Sequence, residues 1–155
     1  MEQANDQRSF WSEKKAFSSK TNEWGTPQDT FDKLNEEFNF TLDPCATKYN
    51  AKCPKFYTKE DDGLSQDWGG ERVFMNPPYG RTINKWIEKA YKESIKGATV
   101  VCLIPARTDT RYWWDYIFPY AEIRFIKGRL KFTNNGKSAP APFPSAIIIF
   151  GGKKC

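Results

Sequence analysis

Residues 76–79 read Asn-Pro-Pro-Tyr, and their types and order suit one kind of chemistry, alkylation of an amine whose lone pair is delocalised into a planar ring. Such an amine, of which N6 of adenine is an example, is a poor nucleophile. The side-chain oxygen of Asn76 and the carbonyl of Pro77 can accept its two N–H hydrogens, drawing the nitrogen toward tetrahedral geometry as the lone pair attacks. Pro77 and Pro78 fix the backbone and offer no competing N–H. Tyr79 can stack on a base withdrawn from its helix. The methylated nitrogen is positively charged and sheds its proton afterwards, so no group titrating near neutrality is needed beforehand. That suits a chain with no histidine, an absence that excludes Ser-His and Cys-His nucleophilic catalysis and most zinc hydrolase chemistry. A rigid Pro-Pro turn with a surface tyrosine is the plain alternative, but an aromatic directly after Asn-Pro-Pro at a strand end is far more restrictive.

Two acidic residues stand where they could serve the same site. Asp43 follows Phe40-Thr41-Leu42, a short extended segment that Pro44 must end. Asp62 lies in the turn Asp61-Asp62-Gly63, after the extended Phe56-Tyr57-Thr58. Asp43 read alone is a turn cap, and Asp61 and Asp62 read alone are a solvated pair. Cys45, Cys53, Cys102 and Cys155 form no Cys-x-x-Cys pair, which excludes zinc knuckles and thioredoxin-type sites. They read as buried thiols, and no metal site is expected.

The elements that must carry these residues alternate between strand and helix. Thr26-Pro27-Gln28-Asp29 begins a helix, with Thr26 as cap, Pro27 at the first helical position and Asp29 in the first turn. Phe31, Leu34 and Phe38 share its apolar face. Arg72 to Met75 is a strand that Asn76 terminates. Thr82 to Lys96 is a helix with Ile83, Trp86, Ile87, Ala90 and Ile95 at helical spacing, stopped by Gly97. Ala98 to Ile104 is a continuous apolar run, the pattern of a strand covered on both faces. Asp109 to Ile117 reads as helix, and residues 123–126, 130–132 and 145–150 read as extended. The order predicts an α/β three-layer sandwich with a mostly parallel sheet and a terminal antiparallel hairpin. Ligands of such sheets bind beyond the strands' carboxyl ends, which Asp43, Asp62 and Asn76 all follow.

The 155 residues suffice for one domain, read as a flexible arm over 1–20 and a single domain over 21–155 with no separate target-recognition domain. Sixteen per cent aromatic residues is too many for a disordered chain. The apolar stretch Ala146 to Phe150 is far short of the ~20 residues that span a bilayer, and the polar, acidic start lacks the pattern of a secretory signal. A cytoplasmic protein without membrane contact is expected. The net charge of +5 is unevenly placed: residues 1–75 carry −4 and residues 76–155 carry +9. A basic half of this kind either is a solvated surface or holds a polyanion. Arg81, Lys85, Arg107, Arg111, Arg129, Lys131 and Lys137 flank the Asn76 loop or lie in later loops. They are the candidate DNA-backbone contacts. Phe132 could stack opposite Tyr79, or be core.

With these motifs in view, Trp24 through Phe150 resembles the S-adenosylmethionine-dependent amino-methylating enzymes, in particular the small phage DNA N6-adenine methyltransferases of the Dam-like type. The resemblance implies a Rossmann-like methyltransferase fold and a site-specific transfer to N6 of adenine in double-stranded DNA, in a bacterial host and in a restriction-modification setting. It assigns catalysis to Asn76, Pro77, Pro78 and Tyr79. Trp24-Gly25-Thr26-Pro27 resembles the motif whose threonine and backbone hold the cofactor's carboxylate. Asp43-Pro44-Cys45-Ala46 is similar to an acidic-Pro-x-x-Ala version of the first nucleotide-fold motif. Asp62-Gly63-Leu64 followed by Trp68 resembles the segment that receives the cofactor's adenine amino group. The resemblance thus implies cofactor contacts from Trp24, Thr26, Pro27, Asp43, Pro44, Cys45, Asp62 and Asn76. Arg81, Arg107, Arg111, Arg129, Lys131 and Phe132, all in the basic half, are the residues expected against DNA. Residues 126–132 and 141–145 resemble the family's C-terminal segments, whereas the glycine-rich loop of many methyltransferases is absent. Three other readings share the tetrapeptide or the fold: methylation of RNA, methylation of protein glutamine, and an inactive nucleic-acid-binding domain.

Overall fold

The computed structural model describes residues 24–134 and 137–152. The expected arm over 1–20 lies outside the described residues. Helix α1, Gln28–Phe38, leads into β1 (Leu42–Asp43) and β2 (Lys55–Phe56). After a 3-10 turn at Gly63–Ser65 come β3 (Arg72–Met75), α2 (Ile83–Ile95) and β4 (Thr99–Pro105). A helical segment over residues 111–120, α3, has a wide π-helical middle at Trp113–Ile117. Strands β5 (Glu122–Phe125), β6 (Lys131–Asn134), β7 (Lys137–Pro140) and β8 (Ser145–Phe150) complete the order.

Six strands form one sheet in the order β2-β1-β3-β4-β8-β5. The pairs β1–β2, β1–β3 and β3–β4 are parallel, and β8 runs antiparallel between β4 and β5. Of the terminal segments read as extended, β5 and β8 pair antiparallel at the edge of the main sheet, whereas β6 forms a separate two-stranded antiparallel hairpin with β7, a strand not read from the sequence. The last strand does not pair with it; β8 is drawn into the main sheet, where all six residues of Ser145–Phe150 are buried.

Register shows which helix covers which face. Phe74 lies opposite Val101, which lies opposite Ile149, so these three point the same way. Phe31 of α1 meets Phe74 edge-on at 5.1 Å, which puts α1 on that face. The alternate row runs Val73, Val100, Phe150. Tyr91 of α2 packs on Phe150 at 6.2 Å and on Tyr120 of α3 at 4.4 Å, so α2 and α3 cover the other face. Both faces of β4 are therefore dry from Val100 onward, which is why the strand is apolar after its half-buried first residue, Thr99.

Three local expectations are corrected. Pro27, not Thr26, occupies the helix-cap position, and no side chain caps the turn; the Thr26 hydroxyl is engaged elsewhere, as described below. Pro27 thus precedes the first helical residue instead of being it. Ile95, assigned to the apolar face of α2, is 66% exposed. The inward position near that end is taken by Glu93, whose carboxylate accepts the Trp68 N–H at 2.6 Å and pairs with Lys96 at 2.7 Å and Lys89 at 3.3 Å. A buried charge satisfied by three donors ties α2 to the loop before β3.

Candidate active site

Strands β1, β3 and β4 are parallel, so Asp43, Asn76 and Arg107 all emerge at or just beyond one edge of the sheet. Asp43 and Asn76 line a single cleft there with Trp24, Gly25, Thr26, Cys45, Asn50, Lys52, Phe74 and Pro78, holding about 380 Å³ of space continuous with solvent. Phe74 forms its apolar wall because it shares a sheet face with Asp43 and Asn76, one strand over and two residues back.

Asn76 is held at both ends of its carboxamide. Nδ2 donates to the Trp24 carbonyl and to Thr26 Oγ1, the latter at 2.9 Å. A main-chain carbonyl can only accept, so this contact fixes which end of the amide is nitrogen. Oδ1 consequently faces Tyr79, whose hydroxyl oxygen lies 2.5 Å from Asn76 Oδ1 and 3.0 Å from the Leu103 carbonyl, with the shorter contact to Asn76. Burial drives the Tyr79 pKa well above its ordinary value, so the hydroxyl remains a donor. An amide oxygen has two lone pairs, and Tyr79 occupies one.

The Tyr79 ring does not present a face for stacking. It is buried, edge-on to Phe143 at 5.5 Å and to Phe132 at 6.2 Å. Phe132 is fully buried as well and packs against Trp24 at 5.6 Å. It is a core residue in this structure, which corrects its expected place against DNA; Trp24, Tyr79, Phe132 and Phe143 form one aromatic cluster behind the cleft.

Asp43 is 5% exposed. Its carboxylate accepts the Lys52 N–H at 3.1 Å and the Cys45 N–H at 3.4 Å, closing the irregular stretch after β1. Burial outweighs those bonds and the Lys52 charge, raising its pKa to about 6. It therefore caps a loop and also forms cleft wall. Asp62 is not on that wall: it is exposed, at φ 55°, before the 3-10 turn. The next residue, Gly63, lies so close to Pro44 that a Cβ would sit 2.0 Å from its carbonyl oxygen, which holds the Asp62 turn against Asp43-Pro44. Pro77 is buried, and Pro27 and Pro44 are not on the cleft wall. Cys45 is half-buried on the wall, while burial pushes the Cys53 thiol up to about 12.

Asn50, Lys52 and Phe74 line the cleft without having been singled out from sequence. Asn50 and Lys52 fall in a stretch with no periodicity, and Phe74 reads as ordinary strand core. Arg81, Lys85, Arg107, Arg111, Arg129, Lys131 and Lys137 are all exposed. The Arg107 guanidinium lies 5.7 Å from the Phe143 ring centre, which brings it beside the aromatic cluster.

A mostly parallel sheet covered on both faces, with polar residues gathered beyond adjoining strand ends, defines an α/β domain of the Rossmann-like kind. The family model described as "DNA N-6-adenine-methyltransferase (Dam)" matches residues 13–150, and the chain belongs to this family. A DNA N-6-adenine-methyltransferase of Haemophilus phage HP1 is 34% identical over 116 residues, covering 72% of this chain and 66% of that protein. One of Escherichia phage T1 is 30% identical over 109 residues, covering 69% of this chain and 45% of that protein. The chain thus spans just under two thirds of the first relative and under half of the second.

Proposed function

We propose that this protein transfers a methyl group from S-adenosylmethionine to N6 of adenine in DNA. Membership of the family supports the reaction class, and one observation carries the site assignment. The Asn76 amide is locked with Oδ1 as acceptor, Tyr79 fills one of its lone pairs, and the residue lines a cleft shared with Asp43.

The cleft chemistry fits the cofactor. Asp43 is a buried carboxyl with a raised pKa, and a cation beside it would restore its charge. Thr26, Asn50 and Lys52 offer polar and cationic partners for an amino-acid carboxylate, while Trp24, Phe74 and Pro78 offer apolar surface. Asp62 would reach an adenine amino group only from outside the wall described here. Bound S-adenosylmethionine supplies an electrophilic methyl on a sulfonium.

The chain's own residues do the rest. Asn76 Oδ1 and the Pro77 carbonyl accept the two hydrogens of the target amine and favour the tetrahedral nitrogen of the transition state. Pro77 and Pro78 hold that carbonyl in place. Tyr79 keeps Oδ1 oriented through its hydroxyl, and an extruded base would meet its ring only if the aromatic cluster opens. The exposed arginines and lysines of the basic half hold the phosphates on either side.

Calorimetric titration with S-adenosylhomocysteine tests the cleft. Wild type should bind, and Asp43→Ala should bind at least tenfold more weakly. A folded wild type that does not bind overturns the assignment; an Asp43→Ala variant that binds as wild type moves it away from Asp43.

A further inference from the structure

The Asn76 loop is held in place by residues far from it in sequence. Asn76 Nδ2 donates to the carbonyl of Trp24 and to Thr26 Oγ1. Between those two residues Gly25 is paired in both directions with Thr133 of β6: the Gly25 N–H donates to the Thr133 carbonyl at 3.0 Å, and the Thr133 N–H to the Gly25 carbonyl at 3.1 Å. A Cβ on Gly25 would lie 2.6 Å from Thr133 Oγ1 and 2.7 Å from the Thr133 carbonyl oxygen, so this approach requires glycine. Phe132, the preceding residue of β6, packs edge-on to Trp24 and to Tyr79. One β6 residue thus pairs with the segment that fixes the Asn76 amide nitrogen, and its neighbour packs on the ring whose hydroxyl fixes the amide oxygen.

We propose that β6 is a positioning element for the reaction, with Thr133 acting through Gly25 and Phe132 acting through Tyr79 to hold the Asn76 carboxamide in its reactive orientation. The proposal rests on Asn76 being the acceptor for the target amine. It accounts for why a two-stranded hairpin outside the main sheet is joined to the chain just before α1 by a reciprocal backbone pair.

Thr133 allows a clean test. Both of its backbone polar groups face Gly25, so its pairing with Ser138 in the hairpin is a non-hydrogen-bonded one. Proline at 133 therefore removes a bond to Gly25 and none from the hairpin ladder. Thr133→Pro, Thr133→Val and Phe132→Leu would be compared in steady-state methylation of duplex DNA, with the Asn76 side-chain amide followed by NMR and assigned by its loss in Asn76→Ala.

Thr133→Pro should lower kcat at least tenfold, with the KM for DNA within about twofold of wild type, because a small displacement of a reacting geometry is costly. Its Asn76 amide resonances should move toward those of an unbonded carboxamide. Thr133→Val keeps both backbone bonds and loses only the long 3.5 Å contact of the Thr133 hydroxyl with the Gly25 carbonyl, so its loss in kcat should be much smaller than that of Thr133→Pro, and Phe132→Leu should lower kcat about three- to tenfold. A Thr133→Pro kcat within twofold of wild type, an equal loss in Thr133→Val, or a loss confined to KM overturns the proposal. If Thr133→Pro does not fold, Phe132→Leu decides by the same criteria. If wild type transfers no methyl group, the functional reading fails instead, and the amide resonances alone decide the positioning.

Discussion

Each end of the Asn76 amide meets a group that complements it: the nitrogen a carbonyl, the oxygen a hydroxyl. Asn76→Ala should lower methyl transfer by ~10²-fold or more, the usual cost of deleting an acceptor or donor aimed at a transition state. Its unfolding midpoint should stay near that of wild type, since Tyr79 keeps the Leu103 carbonyl as partner; single-turnover assays and thermal melts separate the two effects. Asp43 makes a pH-dependent prediction. Its raised pKa means that the folded, unliganded protein favours the protonated form, so its contribution to stability is present below the ordinary carboxylate range and is lost as pH rises through about 6. The ionised form attracts a cation, and affinity for S-adenosylmethionine should therefore climb between pH 5 and pH 7 and then level. S-Adenosylhomocysteine, without the sulfonium charge, should show a shallower rise. Calorimetry across that range checks both curves, and a flat profile would remove Asp43 from the cofactor's surroundings.

Among the elements, the buried Glu93 makes the sharpest stability prediction. Glu93→Ala leaves the Trp68 N–H without its acceptor and frees two lysines from their counter-ion. It should cost about 3 kcal/mol, the usual penalty for breaking a buried charged pair, readable as a lowered urea midpoint. Burial alone would raise the Glu93 pKa, but Lys96, the Trp68 N–H and Lys89 outweigh it and hold the carboxyl below its ordinary value. Its contribution is thus present above the ordinary carboxylate range and fades as pH falls through the lowered pKa. Sequence periodicity could not separate Glu93 from solvated neighbours, because a charged residue on the inner face shows no pattern until its three donors are known. Ile95 is exposed for a plainer reason: five residues after the buried Ala90, it lies about 140° round the helix from that position, off the covered face. In contrast, β3 and β8 were legible to the residue: a proline pair stops one, and an unbroken apolar run fills the other. β7 was missed because Lys137–Pro140 carries neither alternation nor branched residues. Asn76 and Asp43 could be paired from sequence since each follows a strand. The roles of Thr26 and Phe132 could not, because both depend on contacts 50 or more residues away.

Across the whole molecule, charge separates the chain into an acidic first half and a basic second half. Exposed Arg107 and Arg111 follow β4 on the edge that carries Asn76. DNA affinity should fall steeply with salt, and each removed phosphate contact should reduce the logarithmic slope by about one. An Arg107→Ala/Arg111→Ala variant with an unchanged slope would place the duplex elsewhere. No helix among the described residues is long and apolar enough to cross a membrane. Wild type and Asn76→Ala would be incubated with methyl-labelled S-adenosylmethionine and, separately, DNA, RNA and protein, with digestion of each acceptor to its nucleosides or amino acids. Label recovered in N6-methyladenine from DNA, and lost with Asn76→Ala, is the predicted result; label in RNA or in glutamine instead, or equal labelling of DNA by the variant, would contradict it.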